Sequence, residues 1–208
     1  MPLLAAALAL SACDTTSATP QSVVAGEDPG VTLSADIGRG AGGGLTVDYR
    51  VRNGGGEPVI ITDGVPARDT GLLPEPDSSA AYVKVRAGGT VEVSRRTFAA
   101  PGRSERSGTV LMLGTLLRPG QDMSGSVRLE RPVRLYRPYA SAGPGGTSGA
   151  TERAELPDSA RTVVFCLGVV DQGDVEVGLQ GKVDDEHRVL RHPTRQLLLC
   201  SPETDLPR

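Results

Sequence analysis

The sequence predicts an all-β chain, an antiparallel β-sandwich of about nine or ten strands. Three observations predict it. Several short segments alternate apolar and polar residues, as a strand with one buried face must. Two further runs, residues 109–117 and 162–170, are almost continuously apolar, the pattern of a strand covered on both faces. Between the runs stand Gly- and Pro-rich turns, and no long segment keeps the apolar spacing of a helix.

The elements follow in chain order. Residues 31–37 place Val31, Leu33, Ala35 and Ile37 on one face and Thr32, Ser34 and Asp36 on the other. A glycine-rich turn, 38–44, leads to residues 45–52, where Leu45, Val47, Tyr49 and Val51 face inward. Asn53 and the three glycines after it read as a hairpin turn into a third strand, 58–62. Residues 63–80 carry prolines and acids and read as a long loop. Residues 82–86 and 90–94, joined at Gly88-Gly89, read as a hairpin with Val83, Val85, Val91 and Val93 inward.

The apolar run 109–117 follows, then a turn at Arg118-Pro119-Gly120-Gln121 and a long alternating strand, 124–136. Pro132 has no backbone donor, so that strand belongs at an edge or is bulged there. Residues 138–158 are rich in Gly, Ser, Ala and Pro and are expected to be disordered or a loose surface loop. The second apolar run is followed by an alternating segment, 175–183, with bend points at Gly178 and Gly181. Residues 189–190 and 196–200 supply two short final strands.

Ahead of this body, Leu10-Ser11-Ala12-Cys13 closes an apolar run from Leu3 to Leu10. The run suits a signal h-region and is too short to span a bilayer. An aliphatic residue, two small residues and a cysteine form a lipobox, so residues 1–12 resemble the signal segment of bacterial lipoproteins. The resemblance implies cleavage before Cys13 and a diacylglyceryl cysteine there, with palmitate among its acyl chains. At about 0.8 kcal/mol per buried methylene, two or three chains anchor stably where one does not. No Lys or Arg precedes the run, so the signal peptide is expected to be truncated, with its charged start upstream. Asp14 resembles an inner-membrane retention signal if the cell has two membranes. The excess of Arg over Lys, with abundant Ala, Gly and Pro, points to a GC-rich genome.

The expected organisation is a signal peptide over 1–12, a lipidated flexible tether over 13–30, a β-sandwich over 31–201 and a polar tail over 202–208. A tether of that length spans about 20–25 Å as a coil, which keeps the domain close to the membrane. The strand and turn pattern of residues 31–136 resembles immunoglobulin-like folds of exported bacterial proteins, without the Cys…Trp…Cys core of true immunoglobulin domains.

Composition narrows the function. Apolar residues make up 38% and charged residues 23% of the chain, the balance of an ordinary globular fold. Net charge is −3 with both signs mixed and no basic block, which argues against nucleic acid. Aromatic residues are 3% with no Trp, which weighs against carbohydrate, since sugars usually stack on exposed rings. If Cys13 is lipidated, Cys166 and Cys200 remain as an even pair, expected to form a disulfide outside the cytoplasm. The closed loop of about 35 residues implies roughly 3–4 kcal/mol of stabilisation.

Other chemistry is weaker. Gly38-Arg39-Gly40-Ala41-Gly42-Gly43 has the spacing of a dinucleotide-binding turn, but a strand follows it where a helix is needed. His187 and His192, with Asp184, Asp185 and Glu186 nearby, are the candidate metal ligands. Their spacing fits no standard site, and a solvated turn accounts for them better. Asp171, Asp174, Asp184 and Asp185 are an equally weak calcium set. No G-x-S-x-G elbow supports a hydrolase. Arg95, Arg96, Arg103 and Arg106 could meet an acidic partner or anionic headgroups, or be ordinary surface charge.

The expected function is therefore a non-enzymatic lipoprotein without cofactor. It sits on the extracytoplasmic face of the cell membrane and binds or scaffolds an envelope protein partner. The alternatives are a solute- or metal-binding accessory to a transporter and a protease-inhibitor-like module.

Overall fold

The computed structural model describes residues 30–66, 76–77, 80–98, 112–136, 154–172, 179–182, 187–190 and 196–207. Residues 1–29, which include the expected signal segment, Cys13 and all but the last residue of the expected tether, lie outside them.

The fold is all-β, two sheets packed face to face. The smaller sheet has three strands in the order β1 (Val31–Arg39), β2 (Leu45–Asn53), β8 (Asp122–Leu129), all antiparallel. Its alternation is the one the sequence shows: Leu45, Val47, Tyr49 and Val51 are buried, while Thr32, Ser34, Asp36, Asp48 and Arg50 are exposed. A 3-10 turn at Ala41–Gly43 closes the β1–β2 hairpin, so the glycine-rich motif is a connection between strands.

The larger sheet contains β3 (Val59–Pro66), β4 (Pro76–Asp77), β5 (Tyr82–Val85), β6 (Val91–Arg95) and β7 (Met112–Leu117). To these are added β9 (Thr162–Asp171), β10 (Leu179–Lys182), β11 (His187–Leu190), β12 (Leu197–Cys200) and β13 (Thr204–Asp205). The strand β9 organises it. On one edge, β6 pairs with Val163–Leu167 and β3 with Gly168–Asp171, end to end. On the other edge lie β12 and β13. Residues 163–170 are all buried because each face of this sheet has its own core. Val163, Phe165, Leu167 and Val169 face the small sheet. Val170, with Ile60, Met112, Leu116 and Leu190, packs on the opposite face.

The structure departs from the expectations in five places. First, β6 runs parallel to β9, so the sandwich is not purely antiparallel. Second, the turn after Asn53 is no hairpin, because β2 and β3 belong to different sheets. Asn53 is fully buried there, and its Nδ2 donates to the carbonyls of Glu57 and Leu117 at 2.8 and 2.9 Å. Its backbone is bonded to Gly120 and Gln121 in the connection between β7 and β8, which also changes sheets. The two crossings are stitched together, and a buried amide with its bonds satisfied is what permits that. Third, β3 continues to Pro66 where a loop was expected at residue 63, since Val65 is buried on the second core.

Fourth, the expected strand 124–136 is two pieces. The small-sheet strand β8 ends at Leu129, before Pro132, and Tyr136 then bridges Val83 of the large sheet. Fifth, the ends of two segments expected to be loose are tied down. Leu135 N–H donates to the Ala154 carbonyl at 2.7 Å, Arg134 bridges Glu155, and the polar tail supplies β13. Backbone groups at those points gain partners on exposed edges. Residues 137–153 lie outside the described residues.

Candidate functional site

Three polar features stand out from the apolar framework. The first grows from the β5–β6 hairpin, whose turn uses Gly88 and Gly89 at φ 92 and 89. Its register sets Lys84 opposite Glu92. Glu92 is 1% exposed, on the face of the large sheet away from the small one. Its Oε2 accepts from Arg86 Nε at 2.7 Å and lies 3.1 Å from Lys84 Nζ, while Oε1 lies 3.5 Å from Arg96 Nε. Burial alone would raise the Glu92 pKa, but the Arg86 hydrogen bond, the Arg96 charge and Lys84 outweigh it and hold it below its ordinary value. Burial, with neighbouring cations, pulls Lys84 and Arg96 down. Arg96 also lies over the Phe98 ring, 4.2 Å from its centroid.

The same hairpin reaches the disulfide. Cys166 on β9 and Cys200 on β12 are directly opposed in register and covalently joined. Arg86 Nη2 lies 3.2 Å from Cys166 Sγ and 3.6 Å from Cys200 Sγ. Cys166 is buried and Cys200 exposed.

The second feature spans the sandwich. Arg95, 2% exposed, ends β6 and donates from Nη1 to the Tyr49 hydroxyl at 2.8 Å, from Nη2 to the Ser126 carbonyl at 2.9 Å and from Nε to the Ala80 carbonyl at 3.0 Å. It therefore ties the large sheet to β2 and β8. Tyr49 packs against Phe165 with the rings tilted and their centroids 4.9 Å apart, and burial raises the Tyr49 pKa. Opposite Tyr49 stands Gly125, where any Cβ would collide with the phenol. The residue is glycine so that the ring can lie across the strand.

The third feature is a shallow, open depression of about 590 Å³ on the outer face of the small sheet. Ser34, Asp36, Asp48, Arg50, Ser124 and Ser126 line it. Asp36 and Asp48 are directly paired across the strands, a like-charge contact that weakens that ladder position. Arg50 is held by Asp122 at 2.8 Å. The surface offers hydrogen bonds and acidic character but no enclosed volume.

Of the residues singled out from sequence, Cys166 and Cys200 are brought together as expected. His187 opens β11 opposite Thr115, and Asp171 ends β9 opposite Val59. Cys13, His192, Asp174, Asp184, Asp185, Glu186, Arg103 and Arg106 lie outside the described residues. Among the described residues no three metal-ligating side chains gather. The arginine pair is corrected: Arg95 bridges the two sheets and Arg96 serves Glu92, so neither is free surface charge. Sequence reading missed the Glu92 network, although a hairpin centred on Gly88-Gly89 already sets Lys84 against Glu92. Comparison with protein families, with curated proteins and with solved structures finds no match for this chain.

Proposed function

We propose that the chain is an extracytoplasmic lipoprotein, held to the cell membrane through lipid on Cys13, whose β-sandwich is a non-enzymatic binding or scaffolding module at the envelope. The observation that carries this reading is the Cys166–Cys200 disulfide. Such bonds persist in oxidising compartments outside the cytoplasm. With that pair joined, Cys13 is the odd cysteine by count, and it stands at the end of the lipobox. The depression on the outer face of the small sheet, lined by the hydroxyls of Ser34, Ser124 and Ser126 and by Asp36, Asp48 and Arg50, supplies a contact surface for an envelope partner.

The test is a Cys13→Ser variant, followed by membrane fractionation and acyl-chain labelling in the native cell. The variant is expected to lose the label and move to the soluble fraction. A variant as firmly membrane-bound as the parent defeats the reading. So does an unmodified parent chain in the cytosol with all thiols free.

A further inference from the structure

We propose that β1 is a pairing edge for a second copy of this chain, joining the two small sheets antiparallel about Ala35 into one continuous sheet. A strand edge presents unpaired N–H and C=O groups, and proteins blunt such edges with Pro, Lys, bulges or covering segments. Two other edges here are blunted. Arg95 occupies the Ser126 carbonyl of β8, and Pro132 follows that strand. The β5 edge is closed by Tyr136, which exchanges hydrogen bonds with Val83 at 2.8 and 2.9 Å. Among the described residues the β1 strand carries none of these devices. It runs nine residues without a register shift, contains no Pro or Lys, and among the described residues is hydrogen-bonded to one strand, β2.

The sequence of β1 selects the occupant. Turned antiparallel on itself about Ala35, it pairs Val31 with Arg39, Thr32 with Gly38, Leu33 with Ile37, Ser34 with Asp36, and Ala35 with Ala35. All nine residues are used, and every side chain keeps its face. On the inner face Leu33 and Ile37, half-buried in the single chain, each gain an aliphatic partner. On the outer face each Asp36 meets a Ser34 hydroxyl of the other copy. That supplies a donor to a carboxylate already set against Asp48 within its own sheet. Sliding the pairing by two residues to centre on Asp36 would set Asp36 against Asp36, so charge as well as length fixes the register.

The geometry can be tested by crosslinking the purified full chain in a Cys13→Ser background. Directly opposed antiparallel residues can be joined, as Cys166 and Cys200 are here. Ala35→Cys sits on the proposed two-fold axis. Thr32→Cys, on the exposed face, would lie about 20 Å from its counterpart, six residues of strand away. After mild oxidation Ala35→Cys is expected to run at twice the chain mass without reductant, while Thr32→Cys stays single. The Cys13→Ser chain with no added thiol is expected to sediment as a non-covalent pair. A chain that sediments singly, an Ala35→Cys variant that fails to crosslink, or a Thr32→Cys variant that crosslinks equally well overturns the proposal. None of these measurements depends on a lipid anchor.

Discussion

In the small sheet, Val47, Val51 and Val127 are fully buried while Asp48, Arg52 and Arg128 on the same strands face solvent. In the large sheet, β9 shows solvent nothing between Val163 and Val170. The small sheet contributes to a core on one face only, whereas the large sheet carries an apolar cluster on each of its faces. The difference decides where truncation hurts. A side chain in β9 is closely packed by neighbours that cannot all collapse into a void, whereas a side chain at the small sheet's edge has water on one side.

The largest effect is expected at Phe165, which is fully buried and packs against the Tyr49 ring across the sandwich. Phe165→Ala should cost about 3–5 kcal/mol, read as a lowered urea midpoint with an unchanged slope. A cost no greater than that of a small-sheet edge truncation would mean that the two sheets are not packed as described.

The contrast also explains what could be read from the sequence. Alternation is visible wherever a strand has one wet face, so the β1–β2 pair is legible residue by residue. Continuous apolarity marks residues 109–117 and 162–170 as buried strands, and the structure has strands at Met112–Leu117 and Thr162–Asp171, with residues 109–111 outside the described residues. Sheet membership was not legible, because Asn53 and its glycines look locally like a hairpin. Only the distant Leu117 carbonyl, accepting from the buried Asn53 amide, shows that the chain changes sheets there. The parallel β6–β9 pairing is hidden for the same reason, since no local pattern distinguishes it from an antiparallel one. Of the candidate site, the disulfide followed from cysteine parity. Arg95 read as surface charge because its partners Tyr49 and Ser126 lie far away in sequence.

An intermediate effect is expected where the large sheet buries charge rather than carbon. Glu92→Gln keeps the shape but leaves Arg86, Lys84 and Arg96 facing one another. Those cations are 34%, 29% and 16% exposed, so water relieves part of the repulsion, and a cost of about 2–3 kcal/mol is expected near neutral pH. The pH dependence has a definite sign. Glu92 is held below its ordinary 4.5, so the unfolded chain takes up the proton first on acidification. The network's contribution is complete above that value and is lost as pH falls through the lower native one. Denaturation midpoints of parent and variant should therefore converge well below pH 4.5. A difference that persists unchanged in acid would show that the carboxylate's charge is not what stabilises the hairpin.

The smallest effect, at Leu33, bears most directly on the edge of the small sheet. Leu33 is only half-buried against the sandwich core, so Leu33→Ala removes fewer contacts than the same truncation in β9. At high dilution the cost should be about 1 kcal/mol. If β1 pairs with a second copy, Leu33 also covers Ile37 of that copy, and the parent gains stability with concentration that the variant gains less of. The gap between their thermal midpoints should then widen as concentration rises. A gap that stays constant over a wide concentration range would confine Leu33 to its own sandwich and leave β1 an unshared edge.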